Sequence, residues 1–469
     1  MDMLTFALKA DGKTPLYHQL YSFIKTQIQS GRIAVDTKLP SKRKLSSYLK
    51  ISQNTIQTAY GQLIEEGYVV PVERKGFFVS RIDNLIKLGA PGEFLAPAPE
   101  DAAGLYDFSY HGVDLQTFPY TVWRRLYREV VNEYDKELLR LTDSQGLLQL
   151  RKEIASYLFQ SRGVNCSADQ LIISSGTEYL FQILIQLFEK QSVFGIENPG
   201  YEKLYQLFAG NRASFRPVGI DGKGMMPDEI GKSGANIVCV TPAHQFPTGE
   251  IMPISRRVQI LNWSNEKDGR YIIEDDYDSE FKYSGKPVPA LQGLDSNDKV
   301  IYMGAFSKSL SPAMRVSYMV LPRHLMKRFR ENLSYIICPV PVIEQKALSR
   351  FIGEGHFERH LNKMRNIYKK KRETLVGAVR DLHQGIEISG AEAGLQLLVN
   401  PGNGMRENEL VGTALKAGVK VYGISNYYYK KTAPDGPATV LVGYAAMTEA
   451  EIKEAVRLLN KAWFQRDDE

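Results

Sequence analysis

The sequence predicts an α/β domain with a mostly parallel sheet, preceded by a small helical module that ends in a hairpin. Three observations support this fold class. From about residue 165 onward, short β-branched runs such as "QLIISS", "NIVCVTP" and "RYIIEDD" alternate with helical stretches, which is typical of buried parallel strands. Residues 15–80 carry amphipathic helical stripes instead. Residues 82–105 lose this periodicity and gain Pro, Ala and Gly, so we expect a linker there, between domains at residues 1–81 and 106–469.

The overall composition is that of a globular protein of the cytoplasm. Hydrophobic residues make up 43% and charged residues 24% of the 469 residues, and this length favours two or more domains. No apolar run approaches the roughly 18 residues of a membrane-spanning helix, and we find no signal peptide. Cys166, Cys239 and Cys338 are far apart and odd in number, which favours reduced thiols over disulfides. We therefore expect a cytoplasmic protein without a membrane partner.

The positive charge is concentrated at the start of the chain. Residues 1–80 hold 11 Lys and Arg against 6 Asp and Glu, so this segment carries +5 of the net charge of +6. A basic surface often serves only solubility. In so small a module, however, it is also typical of a polyanion partner.

The first 80 residues can be divided into three helices and a hairpin. Apolar residues at helical spacing in "PLYHQLYSFIKTQIQSG" predict the first helix, which Gly31 ends. Ser41 and Ser52 are expected to cap the second and third helices, and Gly67 ends the third. The third helix then presents amide side chains at its exposed N-terminal end. "YVVPVERKGFFV" follows as two short strands around a basic turn.

This region resembles the winged helix of GntR-type transcription regulators. The shared motifs are "LYHQL", "LPSKRKL", "SQNTIQTAYGQLIEEGY" and "KGFFV". The resemblance implies a double-stranded DNA partner. The residues expected to face DNA are Ser41, Arg43, Lys44, Ser52, Gln53, Asn54, Thr55, Gln57, Lys75 and Gly76. Gln53 stands where the family usually has Arg, and Gln favours adenine where Arg favours guanine, so the DNA site is expected to differ from the common one.

In the second domain, reactive, charged or anion-binding groups follow the predicted strands. Gly176 and Thr177 open a helix, whose free N–H groups favour an anion. "EDDYDSEF" follows another strand, and Lys308 follows a third, with Arg315 close behind. These groups are an anion-binding helix start, a carboxylate, a tyrosine, an amine and an arginine. Such a set would hold a phosphorylated aldehyde with a basic ring nitrogen. The set predicts pyridoxal 5'-phosphate (PLP) as the cofactor.

Residues 105–465 resemble a fold type I aminotransferase, through "IISSGTEYLFQ", "ENPGY", "TPAHQFPTG", "IIEDDYDSEF" and "FSKSLSPAMR". A GntR-like winged helix fused to this domain is the architecture of MocR-type regulators. The resemblance implies a small C-terminal α+β subdomain, a homodimer, a Schiff base at Lys308, a ring-nitrogen partner in Asp275 and a phenolic-oxygen partner in Tyr277. The remaining residues expected to bind the cofactor are Ser175, Gly176, Thr177, Tyr201, Gln245, Ser307 and Arg315.

Three departures from the aminotransferase pattern bear on activity. The arginine that holds a substrate carboxylate is expected after the strand in "ATVLVGYAAM", where this chain has Ala446. A phosphate-binding Ser or Thr is replaced by Ala305, and the Asn usual before "PTG" is missing from "HQFPTG". These changes leave imine formation possible but weaken the binding of an ordinary L-α-amino acid.

We therefore predict a DNA-binding transcription regulator that senses a small amino compound by external aldimine formation on PLP at Lys308. An amine, a D-amino acid and a small peptide remain open as effectors. Two alternatives remain open for the domain itself: an active aminotransferase with an appended DNA-binding module, and an aminotransferase-like domain that holds no cofactor. No residue is assigned a catalytic role beyond Lys308.

Two further motifs are expected to be structural. "HFERH" places His356 and His360 one helical turn apart but lacks a third ligand, so we predict no metal site. "KKKR" at residues 369–372 lies on an amphipathic helix, where a solvated basic face is favoured over a second contact with DNA phosphate.

Overall fold

The structure is a computed structural model that describes residues 14–81, 105–132, 136–283, 288–431 and 436–465. The described residues form two compact units, one on each side of residues 82–104. Apart from Leu105, the predicted linker lies outside the described residues. The domain bounds drawn from the sequence therefore stay predictions.

The first unit is a three-helix bundle with a hairpin. Its elements are α1 (Leu16–Gln29), α2 (Lys42–Leu49), α3 (Gln53–Glu65), β1 (Val69–Val72) and β2 (Gly76–Val79). Ser41 accepts a hydrogen bond from the Lys44 N–H, and Ser52 accepts one from the Thr55 N–H, so both predicted caps are present. The apolar stripes of the three helices meet in one buried core, and β1 pairs antiparallel with β2 as the predicted wing.

The second unit is an α/β domain followed by a smaller α+β subdomain. Its strands are β3 (Tyr106–Asp107), β4 (Leu171–Ser174), β5 (Val193–Asn198), β6 (Ser214–Asp221), β7 (Gly224–Met225), β8 (Ile237–Val240), β9 (Tyr271–Asp276), β10 (Val300–Ala305), β11 (Ser317–Val320), β12 (Glu387–Ser389), β13 (Gln396–Asn400), β14 (Val419–Lys420), β15 (Tyr422–Gly423) and β16 (Val440–Gly443). Its helices are α4 (Tyr120–Asn132), α5 (Leu148–Arg162), α6 (Thr177–Leu187), α7 (Glu202–Gly210), α8 (Pro227–Ser233), α9 (Ile254–Asn265), α10 (Arg323–Asn332), α11 (Val342–Gly353), α12 (His356–Arg380), α13 (Glu407–Lys416) and α14 (Glu449–Phe464).

The central sheet has the strand order β4-β11-β10-β9-β8-β5-β6-β7. The pairs from β10 through β6 are parallel, whereas β11 runs antiparallel to both of its neighbours. Every residue of β4, β8 and β11 is buried, because helices cover both faces of the sheet. The predicted fold class is confirmed, and the sheet places the ends of β9 and β10 side by side.

The small subdomain is built on an antiparallel sheet in the order β12-β13-β16-β15. Helices α12, α13 and α14 bury their apolar faces against it in one cluster, which includes Leu397, Leu410, Val442 and Ile452. The short strand β3, which comes directly after the linker region, pairs parallel with β14. The first described residues beyond the linker are thus hydrogen-bonded to this subdomain.

The "KKKR" run on α12 is only partly a solvated face. Lys369 and Lys370 are exposed, in line with the sequence prediction. Lys371 is buried instead, and its Nζ donates to the Asp114 carboxylate at 2.7 Å and to the Ala445 carbonyl at 2.9 Å. The prediction is therefore wrong for Lys371, because the helix turns this side chain toward a carboxylate contributed by a distant loop.

Candidate functional site

A cavity of about 190 Å³ opens at the carboxyl ends of the parallel strands. The predicted cofactor-binding residues that line it are Thr177, Tyr201, Asp275, Tyr277, Ser307, Lys308 and Arg315. They come from the segments that follow β4, β5, β9 and β10, which lie far apart in the chain. The sheet topology therefore brings together most of the residues that the sequence singled out.

Lys308 lies in the turn after β10, with its amine in the cavity. Its Nζ donates a hydrogen bond to the backbone carbonyl of Tyr110. Burial lowers the pKa of Lys308 to about 8, against a smaller opposing effect of the Asp278 carboxylate. The unprotonated, nucleophilic fraction of this amine near neutral pH is therefore far larger than that of an ordinary lysine, although the protonated form still predominates.

Asp275 is the penultimate residue of β9, and its side chain faces the cavity. Its Oδ1 atom is buried and has no hydrogen-bond partner among the described residues. Burial, reinforced by the neighbouring Asp276 and Asp278 carboxylates, raises the pKa of Asp275 to about 7. On the opposite face of the strand, Asp276 is neutralised by Arg162 at 2.8 Å. Asp275 is thus a half-buried residue whose carboxylate has one buried oxygen that no described residue satisfies.

The phenol of Tyr277 belongs to a buried polar group. Its hydroxyl lies 2.9 Å from the His244 Nδ1 atom and 3.4 Å from the Gln396 Nε2 atom. The same His244 Nδ1 atom is 2.9 Å from the Asp278 carboxylate. Burial raises the pKa of Tyr277 well above its ordinary value, so the phenol keeps its proton and can donate it in a hydrogen bond.

The turn from β4 into α6 is the position at which the sequence predicts anion binding. Gly176 precedes α6 with a φ of 92°, and a Cβ atom there would lie 2.1 Å from an Arg315 guanidinium nitrogen. Only glycine fits this close approach at a positive φ. Arg315 pairs with Glu178 at 2.8 Å, while Ser175 flanks the turn in a half-buried position.

Gln245 is placed differently from the other predicted cofactor-binding residues. Its side chain is buried and does not line the cavity. The Gln245 Nε2 atom donates to the Pro199 carbonyl at 3.0 Å, and its Oε1 atom accepts from the Thr248 hydroxyl at 2.6 Å. Gln245 joins two neighbouring loops, so its amide is not available to the cavity.

Several residues that line the cavity were not predicted from the sequence. Tyr110 and His111 come from a segment without helical or strand periodicity, so no pattern marked them. Thr241 and Phe246 lie within "TPAHQFPTG" after β8, where the rule that sites lie at strand ends would have found them. Desolvation, together with the nearby Lys308 and Lys203 amines, lowers the pKa of His111.

The positions that depart from the aminotransferase pattern contribute no charge to the cavity. Ala305 lines it, whereas Ala446 is exposed and lies against Gly112. Among the described residues, Arg315 is the only arginine in the lining. A second guanidinium that could hold a substrate carboxylate is therefore absent from the described part of the lining.

The first unit exposes most of the residues predicted to face DNA. Gln53, Asn54 and Gln57 are exposed on α3, and Lys75 is exposed in the turn between the wing strands. Ser41, Arg43 and Lys44 border one shallow depression at the start of α2. The hydroxyls of Ser52 and Thr55 form a hydrogen bond to each other at 2.8 Å within the α3 cap. Gly76, at the start of β2, has a φ of 112°. The basic and amide side chains are thus free to meet a ligand, whereas the two hydroxyls have a structural role.

No helix within the described ranges is long and apolar enough to cross a membrane. His360 of the "HFERH" motif is buried and bonds to the Ser309 carbonyl at 2.9 Å, whereas His356 stacks on Phe351.

Comparisons with known proteins match both units. The model of bacterial regulatory proteins of the gntR family matches residues 16–79, and that of aminotransferase class I and II matches residues 113–459. The uncharacterized HTH-type transcriptional regulator YdeL of Bacillus subtilis is 41% identical over 453 residues, which cover 96% of this chain and 97% of YdeL. The probable rhizopine catabolism regulatory protein MocR of Rhizobium meliloti is 29% identical over 97% of this chain and 95% of its own.

Solved structures match the second unit. The crystal structure of kynurenine aminotransferase from Pyrococcus horikoshii superimposes with a TM-score of 0.70 over 78% of this chain and 93% of that chain, at 24% identity. This similarity shows a shared fold. Taken together with the full-length relatives, it means that the chain belongs to the MocR-type HTH transcriptional regulators, in which a gntR-family DNA-binding domain precedes an aminotransferase class I and II domain.

Proposed function

We propose that this transcription regulator holds PLP in the cavity at Lys308 and uses it in the cytoplasm to sense a small amino compound. The observation that carries the proposal is the pairing, in one cavity, of a buried reactive amine with a buried carboxylate that lacks a partner. An empty structural domain would have no need of either group, since each has a free-energy cost of burial.

The residues present fit the cofactor group by group. The unpartnered Oδ1 atom of Asp275 suits a ring N–H, and a positive charge there would favour the ionised carboxylate. The free N–H groups at the start of α6, the Ser307 hydroxyl and the Arg315 guanidinium suit a phosphate. Tyr277 would donate to the phenolic oxygen, and Tyr201 would lie beside the ring. When bound, PLP supplies an aldehyde that reacts reversibly with primary amines.

Groups of the protein itself prepare the Lys308 amine for a reversible reaction with this aldehyde. Desolvation lowers the pKa of Lys308 and so increases its unprotonated fraction, and the Tyr110 carbonyl fixes the direction of its N–H groups. The aromatic side chains of Tyr110, Tyr201 and Phe246 give the cavity an apolar part of its lining. Exchange of the lysine for a soluble amine would then change what the Tyr110 segment contacts.

The described lining lacks two groups that an aminotransferase is expected to use, and this favours sensing over catalytic turnover. Ala305 removes one phosphate ligand, and the described lining provides no second arginine for an α-carboxylate. Loss of such a two-pronged, charge-assisted contact costs about 2–5 kcal/mol of binding free energy for a ligand that depends on it. The effector is therefore an amino compound that is not held by its carboxylate in this way.

A homodimer is part of the proposal. Leu139, Leu141 and Tyr335 expose 92%, 77% and 70% of their surface in the second unit. Large apolar side chains so exposed support a contact with a second copy of the chain.

The test is spectroscopic and uses the full chain. Addition of PLP is expected to give a visible absorbance band that Lys308→Ala abolishes, and a scan of amino compounds is expected to find one that both shifts the band and changes binding to DNA selected from a fragment pool. Absence of the band would establish the domain as an empty fold. Conversion of amino acids to keto acids at enzyme-like rates would establish an aminotransferase instead.

A further inference from the structure

His244 occupies a fixed position behind the cavity, in the loop after β8. Its ring is 1% exposed, and its Nδ1 atom lies 2.9 Å from both the Asp278 carboxylate and the Tyr277 hydroxyl. Gly394 packs against the edge of the ring that faces Asp278, since a Cβ atom at this residue would lie 2.1 Å from the His244 Cε1 atom and 2.5 Å from the Asp278 carboxylate. The buried imidazole is therefore closely packed where it meets Asp278.

The chemistry of these partners decides where the hydrogens lie. An ionised carboxylate only accepts hydrogen bonds, so the His244 Nδ1 atom must carry a hydrogen in order to bond to Asp278. A protonated Nδ1 atom cannot accept from Tyr277. The Gln396 amide nitrogen, 3.4 Å from the same phenol, also only donates. Tyr277 thus faces donors on its protein side, and its own hydroxyl hydrogen is directed to the cavity.

Within the described lining of the cavity, the position before "PTG" offers no hydrogen-bond donor from its side chain. The asparagine expected before "PTG" is replaced by Phe246, whose aromatic ring lines the cavity. Tyr277 therefore carries this contact without help from that position, and the direction of its single hydrogen matters more than it would beside an amide.

We propose that His244 is a positioning residue: together with Asp278 it reserves the Tyr277 hydroxyl hydrogen for the phenolic oxygen of the cofactor. The inference rests on the proposed function, because it assumes that PLP is the ligand. It differs from that proposal in assigning a role to a residue that does not touch the cofactor.

The experiment compares PLP with 3-deoxypyridoxal phosphate, which lacks the phenolic oxygen, on the full chain. Absorbance titrations give an affinity for each compound, and the ratio of the two affinities is the readout. His244→Leu and Tyr277→Phe are each expected to lower the ratio about tenfold, the effect of one lost hydrogen bond to a charged group. The double variant is expected to lower it no further, because His244 acts through Tyr277.

Two conservative variants separate positioning from mere packing. His244→Asn places an amide N–H near the former Nδ1 atom and is expected to restore the wild-type ratio. Asp278→Asn keeps the shape and removes the negative charge that requires a hydrogen on Nδ1; with the amide NH2 turned to the ring, the imidazole accepts from Tyr277, and the ratio is expected to fall toward that of Tyr277→Phe. Asp278→Asn also keeps the test decisive if His244→Leu fails to fold.

Distinct results overturn the two proposals. If the wild-type chain binds neither compound, the proposed function fails, and this inference fails with it. If the wild type binds both compounds and Asp278→Asn and His244→Leu leave the ratio unchanged, only the role of His244 is refuted. An equal further loss on adding His244→Leu to Tyr277→Phe would refute it as well.

Discussion

Lys308 and Asp275 have fewer compensating contacts than several other charged groups in the interior of the second unit. Arg162 is neutralised by Asp276, and Arg257 donates to the backbone carbonyls of Met252 and Pro242. The Lys308 amine donates to one backbone carbonyl, that of Tyr110, and Asp275 has one buried oxygen without a hydrogen-bond partner among the described residues. Such groups destabilise the fold in the absence of a ligand, which is common at functional sites.

The penalty for burying Lys308 gives a prediction for stability and pH. Below about pH 8 the folded lysine is desolvated while the unfolded lysine is charged and solvated, so the penalty is fully present. It disappears as the pH rises toward the ordinary lysine value, because the folded state binds fewer protons in this window. Lys308→Met in the cofactor-free protein should raise the free energy of unfolding at pH 7 by about 1–3 kcal/mol.

Urea unfolding followed by tryptophan fluorescence measures this effect in the second unit, since Trp123, Trp263 and Trp463 all lie there. The difference between variant and wild type should shrink steadily above pH 8. A variant that is less stable than the wild type at pH 7 would contradict the assignment of Lys308 as a penalised charge.

Gly176 gives a second prediction at the residue scale. Gly176→Ala would place a Cβ atom at a positive φ and 2.1 Å from the Arg315 guanidinium, so we expect about 1–3 kcal/mol of destabilisation. Affinity for PLP should fall at least tenfold in an absorbance titration. Gly210→Ala is the matched control, since that position is open, and it should leave the affinity unchanged.

At the scale of elements, α12 ties the small subdomain to the segment that carries Tyr110. Lys371 on α12 bonds to Asp114 and to the Ala445 carbonyl, just past β16. Tyr368, one turn earlier, accepts from the Asp114 N–H at 3.0 Å. The segment over the cavity is thus held by a buried ion pair and not by apolar packing alone.

Removal of this ion pair should be strongly destabilising. Lys371→Met leaves the Asp114 carboxylate buried without its cation, which costs about 3–5 kcal/mol of unfolding free energy. Lys370→Met, its exposed neighbour, should change stability by less than about 0.5 kcal/mol. Equal effects of the two substitutions in urea unfolding would show that the pair contributes nothing.

The sequence predicted the elements better than it predicted the connections between them. Periodicity located the helices of the first unit and the buried strands of the second, because each pattern is local. The rule that sites lie at strand ends located Lys308, Asp275 and Arg315. Tyr110, His244 and Lys371 act through contacts between distant segments, and no local pattern distinguishes Lys371 from the exposed lysines beside it.

At the scale of the whole molecule, the chain carries DNA binding and the cavity on separate units. Lys308→Ala should therefore leave DNA affinity in the absence of effector within about twofold of wild type, while abolishing the change on adding the effector. Fluorescence anisotropy with labelled DNA measures both quantities. An effector response retained in Lys308→Ala would mean that the signal does not pass through the lysine.

The two kinds of residue that are predicted to face DNA should differ in their effects. Lys75→Ala should weaken binding to all sequences alike and reduce the salt slope by about 1, since a phosphate contact is lost. Gln53→Ala should instead relax preference at one base pair, at about 1–3 kcal/mol. Lys223→Ala removes an exposed lysine of the second unit and controls for net charge.

The pairing of β3 with β14 has a consequence for how a chemical event could be transmitted. Tyr106 and Asp107 are hydrogen-bonded to the small subdomain, and Tyr110, whose carbonyl holds the Lys308 amine, comes only five residues after Leu105. The shortest covalent path from the cavity therefore enters the linker almost at once, without crossing the body of the sheet. A displacement of the Tyr110 carbonyl would therefore act first on a short segment whose start is hydrogen-bonded to the small subdomain through β3.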